Sequence, residues 1–208
     1  ADDAKIASTC PLALQAALDA VADWCETWHM SLAPHKCSVI HFGPSSASTY
    51  LVGGVAIPAN DVPAIRDLGL LVDNKLSFRQ HVQFIVAKAR STSAIVFRTF
   101  VSRDPALLTK AFISFVRPIL ESNSVAWNSI SKTESREIEN AQGRFTFLLF
   151  KRCRLRMKSA PERLSFLGLE PLVSRRAVAD CVFAKAVIDG QHHCEQLKLA
   201  IPSPNYPI

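Results

Sequence analysis

Apolar residues near the start of the chain follow one helical period. Leu14, Leu18, Val21, Cys25, Trp28 and Leu32 recur at steps of four and three, which puts them on a single stripe. Ser8 or Thr9 offers an N-cap oxygen, Pro11 suits a first turn and Pro34 closes the segment, so the spacing predicts a helix over 11–32. Residues 4–8, just before it, read as the end of a strand. Short β-rich runs follow. Cys37–Phe42 predicts a strand ended by Gly43-Pro44. Tyr50–Val52 and Val55–Ile57, separated by Gly53-Gly54, predict a hairpin with a two-residue turn. Ala64–Val72 predicts a further strand, turned by Asp73-Asn74. After Leu76 helical periodicity takes over. Helices are expected over 79–100 (Val82, Ile85, Val86, Ala89 and Ile95 to one side), 104–119, 133–150, 161–168 and 172–189. The expected fold class is α+β: a small mixed head over 1–77, a helical region over 78–200 and a loose Pro-rich tail over 201–208.

Composition narrows the class. In 208 residues, 49% are hydrophobic and 20% charged, and the mean hydropathy is +0.14, which argues against intrinsic disorder. No run approaches the ~18 apolar residues of a membrane span, so no membrane partner is expected. Asp2 and Asp3 stand where a signal peptide would be basic. The six cysteines form no C-x-x-C pair and read as reduced thiols of an intracellular protein. No initiator Met is present, and the chain reads as a piece of something longer. Charge is uneven: residues 1–80 carry five Lys/Arg against eight Asp/Glu, and residues 81–208 carry nineteen against ten. A polymer-phosphate partner would favour such a basic body.

Asp2-Asp3 is the sharpest local feature. Two unit charges ~4 Å apart cost on the order of 4 kcal/mol at an effective dielectric of about 20, and a divalent cation turns that cost into binding. A flat strand would point the two carboxylates to opposite faces, so both reach metal only from a turn. By itself the doublet is also what a solvated acidic end looks like.

The doublet heads an ordered series. It is followed by the helix predicted over 11–32, then by Leu32-Ala-Pro-His-Lys36-Cys-Ser-Val-Ile-His-Phe42, then by Ile65-Arg-Asp-Leu68-Gly69-Leu-Leu-Val-Asp73 running on to His81. Phe97-Arg-Thr-Phe100, Val116-Arg-Pro-Ile119 and Val125-Ala-Trp127-Asn complete it. The series resembles the reverse transcriptases of non-LTR retrotransposons, of the jockey-like kind, over most of the chain. The resemblance implies a partial polymerase palm over 1–77 and a helical thumb with its extension beyond it. It implies RNA-directed DNA polymerase chemistry: deoxynucleoside triphosphates added to a DNA primer on an RNA template, with two Mg²⁺ ions as cofactors. Asp2 would be a catalytic metal ligand and Asp3 its partner. Lys36 would serve the incoming triphosphate or its leaving group, as a charge clamp or proton donor. Leu68 and Gly69 would form the turn that grips the primer. The aromatic residue that precedes the doublet in that family, the palm strand bearing a third Asp and the fingers are not in this sequence. The chain is therefore expected to be inactive alone. The implied location is nuclear, with a cytoplasmic ribonucleoprotein stage. Other palm polymerases, intron-encoded or viral, are the rival enzymes. The rival outside enzymes is a non-catalytic retrotransposon relic that at most binds nucleic acid.

The basic body has its own candidate. From Arg144 to Lys158 there are six cations (Arg144, Lys151, Arg152, Arg154, Arg156, Lys158) and no acid. Such a cluster gives salt-sensitive, sequence-independent phosphate binding. Phe145, Phe147 and Phe150 read as core residues rather than base-stacking ones, and Arg175-Arg176 is a candidate to join the same surface. Cys25/His29 and Cys37/His41 are zinc-capable, yet both cysteines fall on apolar positions. No G-x-S-x-G elbow and no Gly-rich phosphate loop occurs.

Overall fold

In a computed structural model that describes residues 4–43, 49–57 and 64–191, the first helix, α1, runs over Pro11–Thr27. Pro11 occupies the first turn as expected, but the N-cap residue is Cys10, whose amide donates to Ser8 Oγ at 3.1 Å. The helix ends five residues short of the predicted stop. His29 turns left-handed (φ +55°), its amide bonding Glu26 O at 3.1 Å and that of Met30 bonding Cys25 O at 2.8 Å. This pair of hydrogen bonds satisfies the Cys25 and Glu26 carbonyls and ends the helix before Pro34 is reached. Trp28 consequently lies 65% exposed instead of extending the buried stripe.

The helix packs on a hairpin, β1 (Leu51–Val52) and β2 (Val55–Ala56), paired antiparallel with Leu51 opposite Ala56. Gly53 and Gly54 form its turn at φ +55° and +77°, values that favour glycine at both positions. Buried Tyr50, Val52 and Ile57 pack with Leu14 and Leu18 of α1 and with Cys37 and Val39. The Gln15 carboxamide fixes the contact, accepting from Leu51 N at 2.9 Å and donating to Leu51 O at 3.0 Å.

The single strand read over 64–72 is instead a second hairpin, β3 (Ile65–Asp67) and β4 (Leu70–Val72), turning at Leu68-Gly69. The two turn residues have φ +45° and +92°. Residues 4–8 and 37–42 form no strand. A strand exists only through a partner's ladder, and neither segment joins one among the described residues. Lys5 instead pairs with Asp67, and the His41 ring stacks 6.1 Å from that of Tyr50. Asp73 closes the segment by accepting from Lys75 N (2.8 Å), Ser77 N (3.1 Å) and Ser77 Oγ (2.5 Å).

The chain divides after Ser77 into two units, at the change from β-rich to helical patterning. The second unit opens with α2 (Arg79–Thr99), which buries Val82, Ile85, Val86, Ala89, Ser93 and Val96. Ile95, expected on that face, lies off it and is 53% exposed. The helix predicted over 104–119 forms as α3 (Pro105–Ala111), a π-helical turn over Phe112–Val116 and α4 (Arg117–Glu121). Pro118 has no amide to donate and its ring crowds the preceding turn, which the wider π-turn accommodates. A short helix missed by the periodicity, α5 (Ser124–Trp127), buries the Trp127 indole completely, with Nε1 donating to Ser122 O at 2.8 Å. Then come α6 (Lys132–Arg152), α7 (Ala160–Leu167) and α8 (Leu172–Ile188). Ser131 and Glu134 make a capping box on α6, as do Ser159 and Glu162 on α7. Gly168 stops α7 at φ +62°.

Helix α6 is the spine of this unit, packing against α2, α3, α7 and α8. Its inner face carries Ile138, Ala141, Gln142, Phe145, Thr146, Leu149 and Phe150, all buried. The Phe145 ring lies 4.7 Å from Phe97 and 4.8 Å from Phe112. Arg176, only 1% exposed, joins three helices: Nε donates to Asn128 Oδ1 and Nη2 to Ser135 Oγ, each at 2.9 Å, and the guanidinium lies over Trp127. Burial lowers its pKa, opposed by Glu139, Glu121 and Asp180, while Glu139 itself is raised by burial.

His81 is buried beside Trp127, ring centroids 5.4 Å apart, and burial lowers its pKa below the usual 6.5. The folded state therefore binds fewer protons than the unfolded chain below that value. Stability is full above pH 6.5 and declines as pH falls through the folded pKa. Thermal unfolding between about pH 7.5 and about pH 5.5 should show a larger drop in Tm for wild type than for His81→Gln. Equal drops would mean that His81 titrates alike in both states.

Candidate nucleic-acid interface

The outer face of α6 follows from its inner one. Arg136, Asn140, Arg144, Phe147 and Lys151 recur at steps of four, four, three and four, and all are exposed. The helix ends with the same pair of hydrogen bonds as α1: Arg154 N reaches Lys151 O at 3.3 Å and Leu155 N reaches Phe150 O at 3.0 Å. Arg154 is thereby held at φ +55°, exposed, where glycine is the usual residue. Lys151 and Arg154 sit at the negative end of the helix dipole, which favours cations there. Arg156 and Lys158 follow on an exposed segment leading into α7.

Five of the six cations expected to contact phosphate thus face outward, and among the described residues none of the five makes an ion pair. Arg152 departs from the set. It is half-buried, and its two Nη atoms donate to Phe100 O at 2.9 Å and Phe97 O at 2.6 Å, capping the C-terminus of α2. Arg175 and Arg176 do not join the surface either. Arg175 makes a bidentate pair with Glu121 at 2.5 and 3.1 Å, which raises its pKa, and Arg176 is buried. Phe145 and Phe150 are core residues as expected, but Phe147 is 40% exposed. One further aromatic was missed. Phe166 of α7 is 52% exposed, meets Phe150 edge-on at 5.5 Å and lies 5.1 Å from Lys158 Nζ. In its place α7 buries Arg163, whose donors go to Lys158 O (2.7 Å), Gly143 O (3.1 Å) and Thr146 Oγ1 (3.3 Å). Glu162, the nearest acid, is engaged by Ser159, which holds its carboxyl below the usual range.

The residues implied by the polymerase resemblance lie in the first unit. Leu68 and Gly69 form the tip of the β3–β4 hairpin, with Leu68 78% exposed. Lys36 is exposed at the end of a 3₁₀ turn, Pro34–Lys36, and does not start a strand. Asp2 and Asp3 lie outside the described residues, as does the tail over 201–208. Among the described residues no three His, Cys, Asp or Glu side chains converge. Cys25 is buried in α1 while His29, four residues on, is exposed at its left-handed end. No described helix is long and apolar enough to cross a membrane.

No family model matches the chain, and no solved structure matches it. It is similar to an uncharacterized protein of Caenorhabditis elegans, 22% identical over 148 residues, which covers 69% of this chain and 75% of that protein.

An unpaired cation that meets a phosphate releases a counterion, so log K falls with log[salt] by about 0.9 per contact on duplex. Replacing Arg144, Lys151, Arg156 and Lys158 by Gln and Arg154 by Gly should flatten the slope for a primer–template duplex by up to about 4.5. An unchanged slope would remove this face from the interface. Arg154→Gly alone should leave thermal stability unchanged or raise it by up to about 1 kcal/mol, because it relieves a left-handed non-glycine residue.

Proposed function

We propose that this chain is the end of the palm and the thumb of an RNA-directed DNA polymerase of the non-LTR retrotransposon kind, its partners an RNA template, a DNA primer and deoxynucleoside triphosphates. The observation that carries the reading is the order of elements. A helix behind an Asp doublet leads to a Lys-bearing turn, then to the β1–β2 hairpin, then to a second hairpin with Leu68-Gly69 at its tip, and seven residues after Val72 α2 begins a unit that is helical over its described residues. The tip supports the role that the resemblance gives it. Gly69, at φ +92° with open space around the position of a Cβ, lets another backbone approach closely, and Leu68 offers an exposed apolar contact beside it. The five outward cations of the helical unit add a sequence-independent hold on the phosphate backbone.

In this reading Lys36 serves the triphosphate, and the metal-binding role falls to Asp2 and Asp3 with a third carboxylate from outside this sequence. Two Mg²⁺ ions would stabilise charge on the attacking and leaving oxygens. The residues of this chain position the primer end and hold its backbone.

Leu68 gives the direct test. With p-benzoylphenylalanine at position 68, irradiation of the chain bound to an RNA template annealed to a DNA primer should crosslink the primer strand near its 3′ end. The same probe at exposed Val55 of the other hairpin should not. Binding without a Leu68-specific crosslink would contradict the polymerase reading and leave the non-catalytic relic, bound through its basic helical face.

A further inference from the structure

We propose that Phe147 and Phe166 are stacking platforms for unpaired bases, so that the α6–α7 face takes single-stranded nucleic acid in preference to duplex. The inference rests on the nucleic-acid reading of that face and adds the form of the ligand.

Isolated exposed apolar residues are ordinary on protein surfaces and indicate nothing by themselves. These two rings differ from that background in how they are held. Phe147 has the Arg163 guanidinium 5.9 Å from its centroid, and Arg163 is itself only 8% exposed and locked by three hydrogen bonds. Phe166 is wedged against buried Phe150 and carries Lys158 Nζ at 5.1 Å. Phe147 is thus held by a buried, hydrogen-bonded arginine and Phe166 by its contact with Phe150, yet each keeps about half of its surface in water. A ring immobilised in advance loses little entropy when a base stacks on it.

The placement of the two rings is also specific. Phe147 meets Arg163, and Phe150 meets Phe166. The partners are three residues apart on both helices, so both exposed rings border the α6–α7 contact. Arg144 and Lys151 stand one turn to either side of Phe147, a span of about 10 Å along the helix. Lys158 borders Phe166. Cations next to half-exposed aromatic rings suit a strand whose phosphates follow the charges while its bases turn onto the ring surface left in water. Bases inside a duplex are already stacked and would leave both rings unused. An inward arginine at 163 with an outward phenylalanine at 166 reverses what burial of apolar area alone would select on α7.

The test measures binding of the full chain, by fluorescence anisotropy, to a single-stranded RNA, to the matched duplex and to heparin, a polyanion without bases. Phe147→Leu and Phe166→Leu keep apolar bulk and remove the aromatic face. The single strand should bind more tightly than the duplex. Each substitution should weaken single-strand binding by roughly tenfold and leave duplex and heparin binding within about twofold. Equal losses on all three ligands, no loss on any, or a single strand that binds no better than duplex would overturn the platforms and leave the basic face standing. Absence of salt-sensitive binding to either nucleic acid would overturn the reading of the face itself.

Discussion

The helical unit depends on one constraint: the inner face of α6 is enclosed by four other helices and has to be both apolar and hydrogen-bonded. Phe145, Leu149 and Phe150 supply the apolar contact, and Gln142 reaches Glu170 O at 3.0 Å. Guanidinium groups that fall on enclosed positions have to be satisfied there, since a buried unpaired charge costs several kcal/mol. Arg152 and Arg163 are satisfied by carbonyls and a hydroxyl, whereas Arg176 donates through Nε to Asn128 and through Nη2 to Ser135 and keeps a buried Nη1 without a partner among the described residues; each of the three joins elements distant in sequence. The five other cations of 144–158 fall on the outer face of α6 or on the exposed segment after it, and face water. The candidate interface is the other side of the core.

The first unit is organised differently. Two-stranded hairpins are marginal in water without something to pack on. Here β1–β2 has α1, with the Gln15 carboxamide standing in for a neighbouring strand along the edge at Leu51. The β3–β4 hairpin holds its tip out in solvent on a left-handed leucine and glycine. A non-glycine residue at φ +45° is strained by about 1 kcal/mol or more, and strain of this kind is commonest where a turn meets a ligand.

Much of this was legible in the sequence. Gly-Gly between two alternating runs specified its hairpin, Pro11 opened α1, Gly168 closed α7, and the division after Ser77 follows the change in hydrophobic period. What was not legible has physical causes. The strands read at 4–8 and 37–42 needed a ladder that no local pattern reports. The early end of α1 needed a left-handed histidine where glycine is the usual signal. The six cations of 144–158 are equal in composition but not in phase. Arg152 falls seven residues after Phe145, on the inner face, while Arg144, Phe147 and Lys151 share the outer one. Arg176 falls four residues after buried Leu172 in the same way. Reading phase as well as charge would have separated inward arginines from outward ones and picked out Phe147. The local sequence of Phe166 carried no comparable signal, because its exposure follows from how α7 lies on α6.

In the proposed reading the β3–β4 hairpin grips the primer and the outer face of α6 holds phosphate, both within one chain. Hydrogen–deuterium exchange of the intact chain, with and without an RNA template annealed to a DNA primer, tests that claim most directly. The account predicts slowed exchange at 65–72 and at 144–158 together, with the hairpin at 51–56 unchanged. Unchanged exchange at both of the first two segments, under conditions where the primer–template is bound, would contradict it.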